Sequence, residues 1–197
     1  MSRGANAKCD DERFQRIDAA FRAGDLSALR AAVSDPGVIP NGPMPIDIGP
    51  CLAYAIYHSP FAFVVTLLEL GADPNPPDHD GFPPIIAALV TRQPHPGATL
   101  RADALDIVRL LVARGADVNQ RGLNDYTPLH WAVDHHDAEA VTLLLDLGAD
   151  PRLRTRIDGR ETPLELAQQA GLDDLVRLLA ARTPVMTSPL SSRARHE

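Results

Sequence analysis

Aromatic residues make up only 5% of the 197-residue chain, with one tryptophan among them, although apolar residues reach 45%. A β-sandwich core would draw on Val, Ile, Tyr and Phe, so a core rich in Ala and Leu points to thin, closely packed helices. Cysteine is nearly missing. Cys9 in the N-terminal segment and Cys51 inside a helical pattern are too few for a disulfide framework, which fits a reducing compartment. Lysine is confined to Lys8 among 19 basic residues, and 26 acidic residues bring the formal net charge to −7. Nucleic-acid readers carry a basic surface, so the charge argues against nucleic acid as a partner. Long hydrophobic runs are also missing. The longest, Phe61 to Leu70, is broken by Thr66 and Glu69 and is too short to span a bilayer. Residues 1–10 contain no apolar signal-peptide core, so a cytoplasmic chain without membrane contact is expected.

Catalytic signatures are absent as well. There is no G-x-S-x-G, H-E-x-x-H, C-x-x-C or glycine-rich phosphate loop, and the carboxylates are spread along the chain. No catalytic residue, cofactor site or metal site is assigned, and the chain is not expected to be an enzyme.

What is present is an internal repeat. Gly71-Ala72-Asp73-Pro74-Asn75, Gly115-Ala116-Asp117-Val118-Asn119 and Gly148-Ala149-Asp150-Pro151-Arg152 align. The last two start 148 − 115 = 33 positions apart, and the first two 115 − 71 = 44, which is 33 plus an insertion of 11. Thr127-Pro128-Leu129-His130 recurs as Thr162-Pro163-Leu164-Glu165, with a degenerate copy at Pro83-Pro84-Ile85-Ile86. Thr127 suits a helix N-cap, and Pro128 the first helical position, where a missing N–H costs nothing. Leu129, Ala132 and Val133 then form one apolar stripe, and Gly148 is placed to stop the second helix with a positive φ.

Two strings in fixed order at this period resemble the ankyrin repeat family, with residues 120–152 carrying the closest match and the likeness reaching roughly from 12 to 182. The resemblance implies an all-α solenoid of about five helix-turn-helix units with short β-hairpin fingers. The units fall at about 12–36, 48–73, 82–117, 126–150 and 161–182, within an ankyrin repeat domain at 12–182. Residues 1–11 are expected to be a flexible N-terminus and 183–197 a disordered C-terminal tail. It also implies a protein-protein interaction module (adaptor, scaffold or inhibitor) that binds another protein through its concave face and fingers, and is a monomer when unbound. The family pattern makes Leu123, Asn124, Tyr126, Trp131, Asp134 and His135 the recognition surface of the fourth unit.

Arg152, Arg154, Arg156 and Arg160 crowd the next finger, and Arg154 and Arg156 are added to the candidate partner-binding set. Guanidiniums there could grip a partner's carboxylates or phosphates, or pair with Asp125, Asp158, Glu161 and Glu165 of the same chain. Trp131 could likewise be an interface anchor or a half-buried packing residue. A second functional reading is a small regulatory enzyme or metal-dependent factor using the His130, His135 and His136 region. Against it, His130 is the repeat-motif histidine, and adjacent histidines do not converge on one ion from a regular helix. The insertion at Gln93–Asp103 is expected to project as a loop with little packing. The apolar residues between Val38 and Ile48 either pad the first junction or form an exposed ridge.

Overall fold

The computed structural model describes residues 3–42, 50–77, 82–94, 100–122, 125–156 and 159–182, with side chains from residue 11 onward. Ten α-helices lie among them: α1 Arg3–Ala23, α2 Leu26–Ala32, α3 Cys51–His58, α4 Phe61–Glu69, α5 Pro84–Val90, α6 Ala104–Ala113, α7 Pro128–Asp134, α8 Ala138–Asp146, α9 Pro163–Gln169 and α10 Asp173–Arg182. Helix α1 starts at Arg3, within the 1–11 segment expected to be a flexible N-terminus. Ala5, Ala7 and Lys8 are strong helix formers, and no proline interrupts the run. No strand occurs among the described residues. Two of the connectors where β-hairpins are expected are each closed by a backbone bond: Gly122 N–H to the Tyr126 carbonyl at 2.9 Å, and Thr155 N–H to the Glu161 carbonyl at 3.0 Å.

Local chemistry starts and stops the helices. Thr127 and Thr162 cap α7 and α9 through reciprocal capping boxes closed by His130 and Glu165, with a proline at the first helical position of each. Asp25 and Asp137 accept from the third residue of α2 and α8, Ala28 and Ala140. Gly71, Gly115 and Gly148 follow α4, α6 and α8 at φ near 90°. There the next N–H reaches back five residues, as in Ala149 to the Leu144 carbonyl at 2.9 Å. His136 takes the same left-handed conformation between α7 and α8, at φ 56°, where Gly24 and Gly171 serve the first and last pairs.

Consecutive helices form antiparallel pairs, and the pairs stack. Helices α1, α3, α5, α7 and α9 pack neighbour on neighbour as one layer, while α4 on α6 and α8 on α10 continue the other. A single core runs through the stack, from Ile17 and Phe21 through Ile56, Leu67, Ile85, Leu111, Leu129 and Leu144 to Leu179. Cys51 is part of it, and burial pushes its thiol up to about 12.

The connectors are locked together by an asparagine ladder. Asn41 donates to the Gly71 carbonyl and accepts from Asp73 N–H, both at 2.8 Å. Asn75 repeats the pair on Gly115 and Asp117, and Asn119 accepts from Asp150 N–H at 2.9 Å. Each of these aspartates accepts the N–H two residues on, at 2.8–2.9 Å.

The structure resolves one open reading and corrects one expectation about the irregular segments. Val38 packs against the core and Ile39 is buried, so this start of the apolar segment pads the junction. Residues 43–49 lie outside the described residues. The C-terminal end of the insertion is packed, because Arg101, 9% exposed, reaches across to the preceding pair. It donates to the Ile56 and Ser59 carbonyls at 2.9 and 2.5 Å and pairs with Asp103 at 2.7 Å. These carbonyls end α3 and have no helical N–H to accept.

Replacing Arg101 by Ala leaves those acceptors unpaired and should cost about 2–3 kcal/mol in urea unfolding. His136→Gly should instead stabilise by about 1 kcal/mol, since glycine removes the left-handed penalty; thermal unfolding of the two variants checks both signs.

Candidate protein-binding face

The fourth unit builds its surface on α7. His130 on the first turn is fully buried, with Nδ1 2.8 Å from Thr127 Oγ1 and Nε2 3.0 Å from the Glu161 carbonyl. The tautomer with its proton on Nε2 satisfies both sides: it donates to Glu161 of the next unit and accepts from Thr127. Burial pulls the imidazole below its ordinary value, outweighing the Glu161 carbonyl, which acts in the opposite direction. His130 therefore joins two units as a neutral group. With both nitrogens engaged it has no lone pair for a metal, and among the described residues no His, Cys, Asp or Glu group is arranged to hold one.

The next residue, Trp131, is half-buried. Its ring meets Phe82 edge-on at 5.5 Å and stacks on His135 at 4.2 Å with 17° between the planes. His135 Nδ1 lies 2.9 Å from the Trp131 carbonyl, which holds that ring in place. Trp131 Nε1 is buried without a hydrogen-bond partner. Asp134 is exposed, with its carboxylate 3.8 Å from His135 Nδ1. Phe82 was missed in the sequence. Its signal was its register: it precedes Pro83 as Tyr126 precedes Thr127, one repeat earlier. Beside it, a Cβ on Gly122 would come within 3.0 Å of Ile86 Cδ1, so the connector backbone lies directly on the third unit. Tyr126 is half-buried and tilts over His130 at 5.7 Å. Leu123 and Asn124 lie outside the described residues.

The arginines are organised by the chain itself. Asp125 is 6% exposed and adopts a positive φ of 59°, a conformation aspartate tolerates. Its carboxylate accepts from Arg121 at 2.8 Å and from both the backbone and the side chain of Arg156. Burial alone would raise the Asp125 carboxyl, but the Arg156 bonds and the two positive charges together hold it below the carboxylate range. Arg154 forms a bidentate pair with Glu165 at 2.7 and 2.8 Å and also donates to the Arg160 carbonyl. Arg152 pairs with Asp150 at 2.9 Å. The finger is a set of intramolecular ion pairs, and Arg154 and Arg156 spend much of their donor capacity inside the chain.

Stacked helical pairs tied by repeated side-chain bridges define a helical-repeat solenoid. A family profile for ankyrin repeats, in three copies, matches residues 97–188. The chain is 29% identical over 171 residues to the putative ankyrin repeat protein YahD of Escherichia coli, covering 69% of this chain and 84% of that one. It is 34% identical over 118 residues to the palmitoyltransferase Hip14 of Drosophila melanogaster, and 37% over 95 residues to the human palmitoyltransferase ZDHHC13. Those matches cover only 17% and 13% of the two enzymes' lengths. These likenesses support an ankyrin repeat protein. Ankyrin repeats are in general protein-interaction modules, and among the described residues no helix is long and apolar enough to cross a membrane.

The depressed His130 value has a measurable consequence. A folded-state imidazole below the unfolded value of about 6.5 contributes stability that is complete above that pH and is lost as pH falls through the folded value. Melting temperature should drop between pH 7 and 5, and His130→Gln should flatten that dependence while costing about 2 kcal/mol at pH 8. An equally steep acid slope in the variant would remove His130 as its source.

Proposed function

We propose that this chain is a non-enzymatic binding module (adaptor, scaffold or inhibitor) that engages one protein partner through the concave first-helix layer of its fourth unit. The observation that carries this reading is Trp131, a half-exposed aromatic held between Phe82 and His135. An anchor whose rotamer is already restricted loses little entropy when covered, which is how interface hot spots are built. Tyr126, Leu123 and Asn124 extend the surface along the connector, and Asp134 and His135 border it. Arg154 and Arg156 form its positive rim. Because they already pair with Glu165 and Asp125, the rim acts through residual field and approach rate more than through new contacts. The partner's own carboxylates compete with internal ones. The module works in the cytoplasm as a monomer until it meets its partner.

Affinity capture from the native host with mass spectrometry, run in parallel with Trp131→Ala, tests this. The substitution should cost about 2 kcal/mol or more of binding and lose the captured partner, with Tyr126→Ala costing less. Arg154→Glu with Arg156→Glu should slow association, and the loss should shrink at high salt. If Trp131→Ala lowers the melting temperature by several degrees yet retains the partner at full affinity, Trp131 is a packing residue and this reading fails.

A further inference from the structure

The opposite edge of the stack holds a second feature, independent of the concave face. A cleft of about 400 Å³ opens between the α3–α4 turn and the end of the insertion. Its lining divides into two kinds of surface. Tyr57, Pro60 and Leu100 form an apolar side, with Leu100 58% exposed and therefore uncovered by the chain itself. Arg22, His58, Ser59 and Arg101 bring hydrogen-bonding groups to the same cleft.

The polar groups have an unusual balance. Arg101 spends its guanidinium on Asp103 and on the Ile56 and Ser59 carbonyls, making a rigid wall. Asp103 is held below the carboxylate range, chiefly by that Arg101 bond, so it is an anion already paired. Arg22 gives its Nε to Asp18 at 2.7 Å, and Asp18 also accepts from Tyr54 Oη at 2.7 Å. Each Asp18 oxygen thereby has a partner, while the two terminal nitrogens of Arg22 retain donors on a side chain that is 55% exposed. Burial, and then the charge of Arg22, lower His58, so at neutral pH it is a neutral ring with one N–H to give. Burial pushes the Tyr57 hydroxyl up to about 12, so it too stays a donor. Ser59, 3% exposed, has a hydroxyl with no hydrogen-bond partner. Unsatisfied buried donors are costly, and a donor-rich cleft whose own carboxylates are taken favours a ligand that brings acceptors.

We propose that this cleft is a binding site for a carboxylate carried on a compact apolar group. The carboxylate meets the terminal nitrogens of Arg22 at the rim, with the His58 N–H beside it. The apolar body lies along Tyr57, Pro60 and Leu100. A guanidinium presents two parallel donors that match a carboxylate, and the volume lies within the range of small-molecule sites. Two sources share this chemistry, a free organic acid and the C-terminal residue of another chain.

Calorimetric titration of the full chain distinguishes them, using benzoate, benzamide, and a hexapeptide ending in Phe with either a free or an amidated C-terminus. Benzoate should bind saturably and benzamide at least tenfold more weakly if the source is a free acid. If the source is a chain end, the free-terminus peptide should bind at least tenfold better than both its amide and benzoate. Arg22→Gln should weaken the preferred ligand at least tenfold. Equal binding of acid and amide, absence of saturable binding by both acids, or unchanged affinity in Arg22→Gln at an unchanged melting temperature would overturn the proposal.

Discussion

Leu129 and Leu144 have no exposure to solvent, yet helices of seven to nine residues are too short to be stable or to enclose a core as an isolated pair. Each pair must lend one side to the pair before it and the other to the pair after it. The polar contacts obey the same requirement. His130 reaches the Glu161 carbonyl of the next unit, and Asn41 and Asn75 each reach a glycine carbonyl and an aspartate N–H one unit on. Apolar burial supplies most of the stabilisation, while these bonds set the register, because a neighbour shifted by one residue would lose its donor and acceptor together.

That dependence on neighbours also decides which charges remain for recognition. A connector carrying arginines must pack beside another connector, and Asp125 sits between them as a shared acceptor for Arg121 and Arg156. Arg154 closes on Glu165 within its own unit. What remains least committed on this layer is aromatic, Trp131 resting on Phe82 and His135. The proposed partner site is therefore an apolar anchor with a largely neutralised border, which favours shape over charge as its source of specificity.

The two edges of the stack differ in chemistry for a related reason. The connector edge is tiled by asparagine and aspartate bonds to backbone, repeated unit by unit. Among the described residues the turn edge has no such ladder, and long side chains bridge it instead. Arg92 crosses to Asp137 and Glu139 of the following unit, and Arg101 crosses back to the carbonyls ending α3. Arg92, just before the insertion, and Arg101, within it, thus tie three consecutive units together where ordinary turns would leave them joined by packing alone, and Arg101 also walls the cleft beside His58 and Ser59.

The sequence by itself determined the elements that short-range chemistry governs. Thr127-Pro128 and Thr162-Pro163 start helices and Gly115 and Gly148 stop them because caps and positive φ are settled within about five residues of chain. The 33-residue spacing then required those helices to stack, since no single unit can bury its stripe. It also placed Trp131 and Tyr126 on one unit, but it could not say what lay opposite them. Phe82 against Trp131, Arg156 on Asp125 31 residues away, and Arg101 under the α3 turn were decided only by the tertiary structure. A repeat period specifies a residue's position within its unit; whether its side chain stays available depends on the rotamers and charges of the neighbouring unit, and these lie many residues away along the chain.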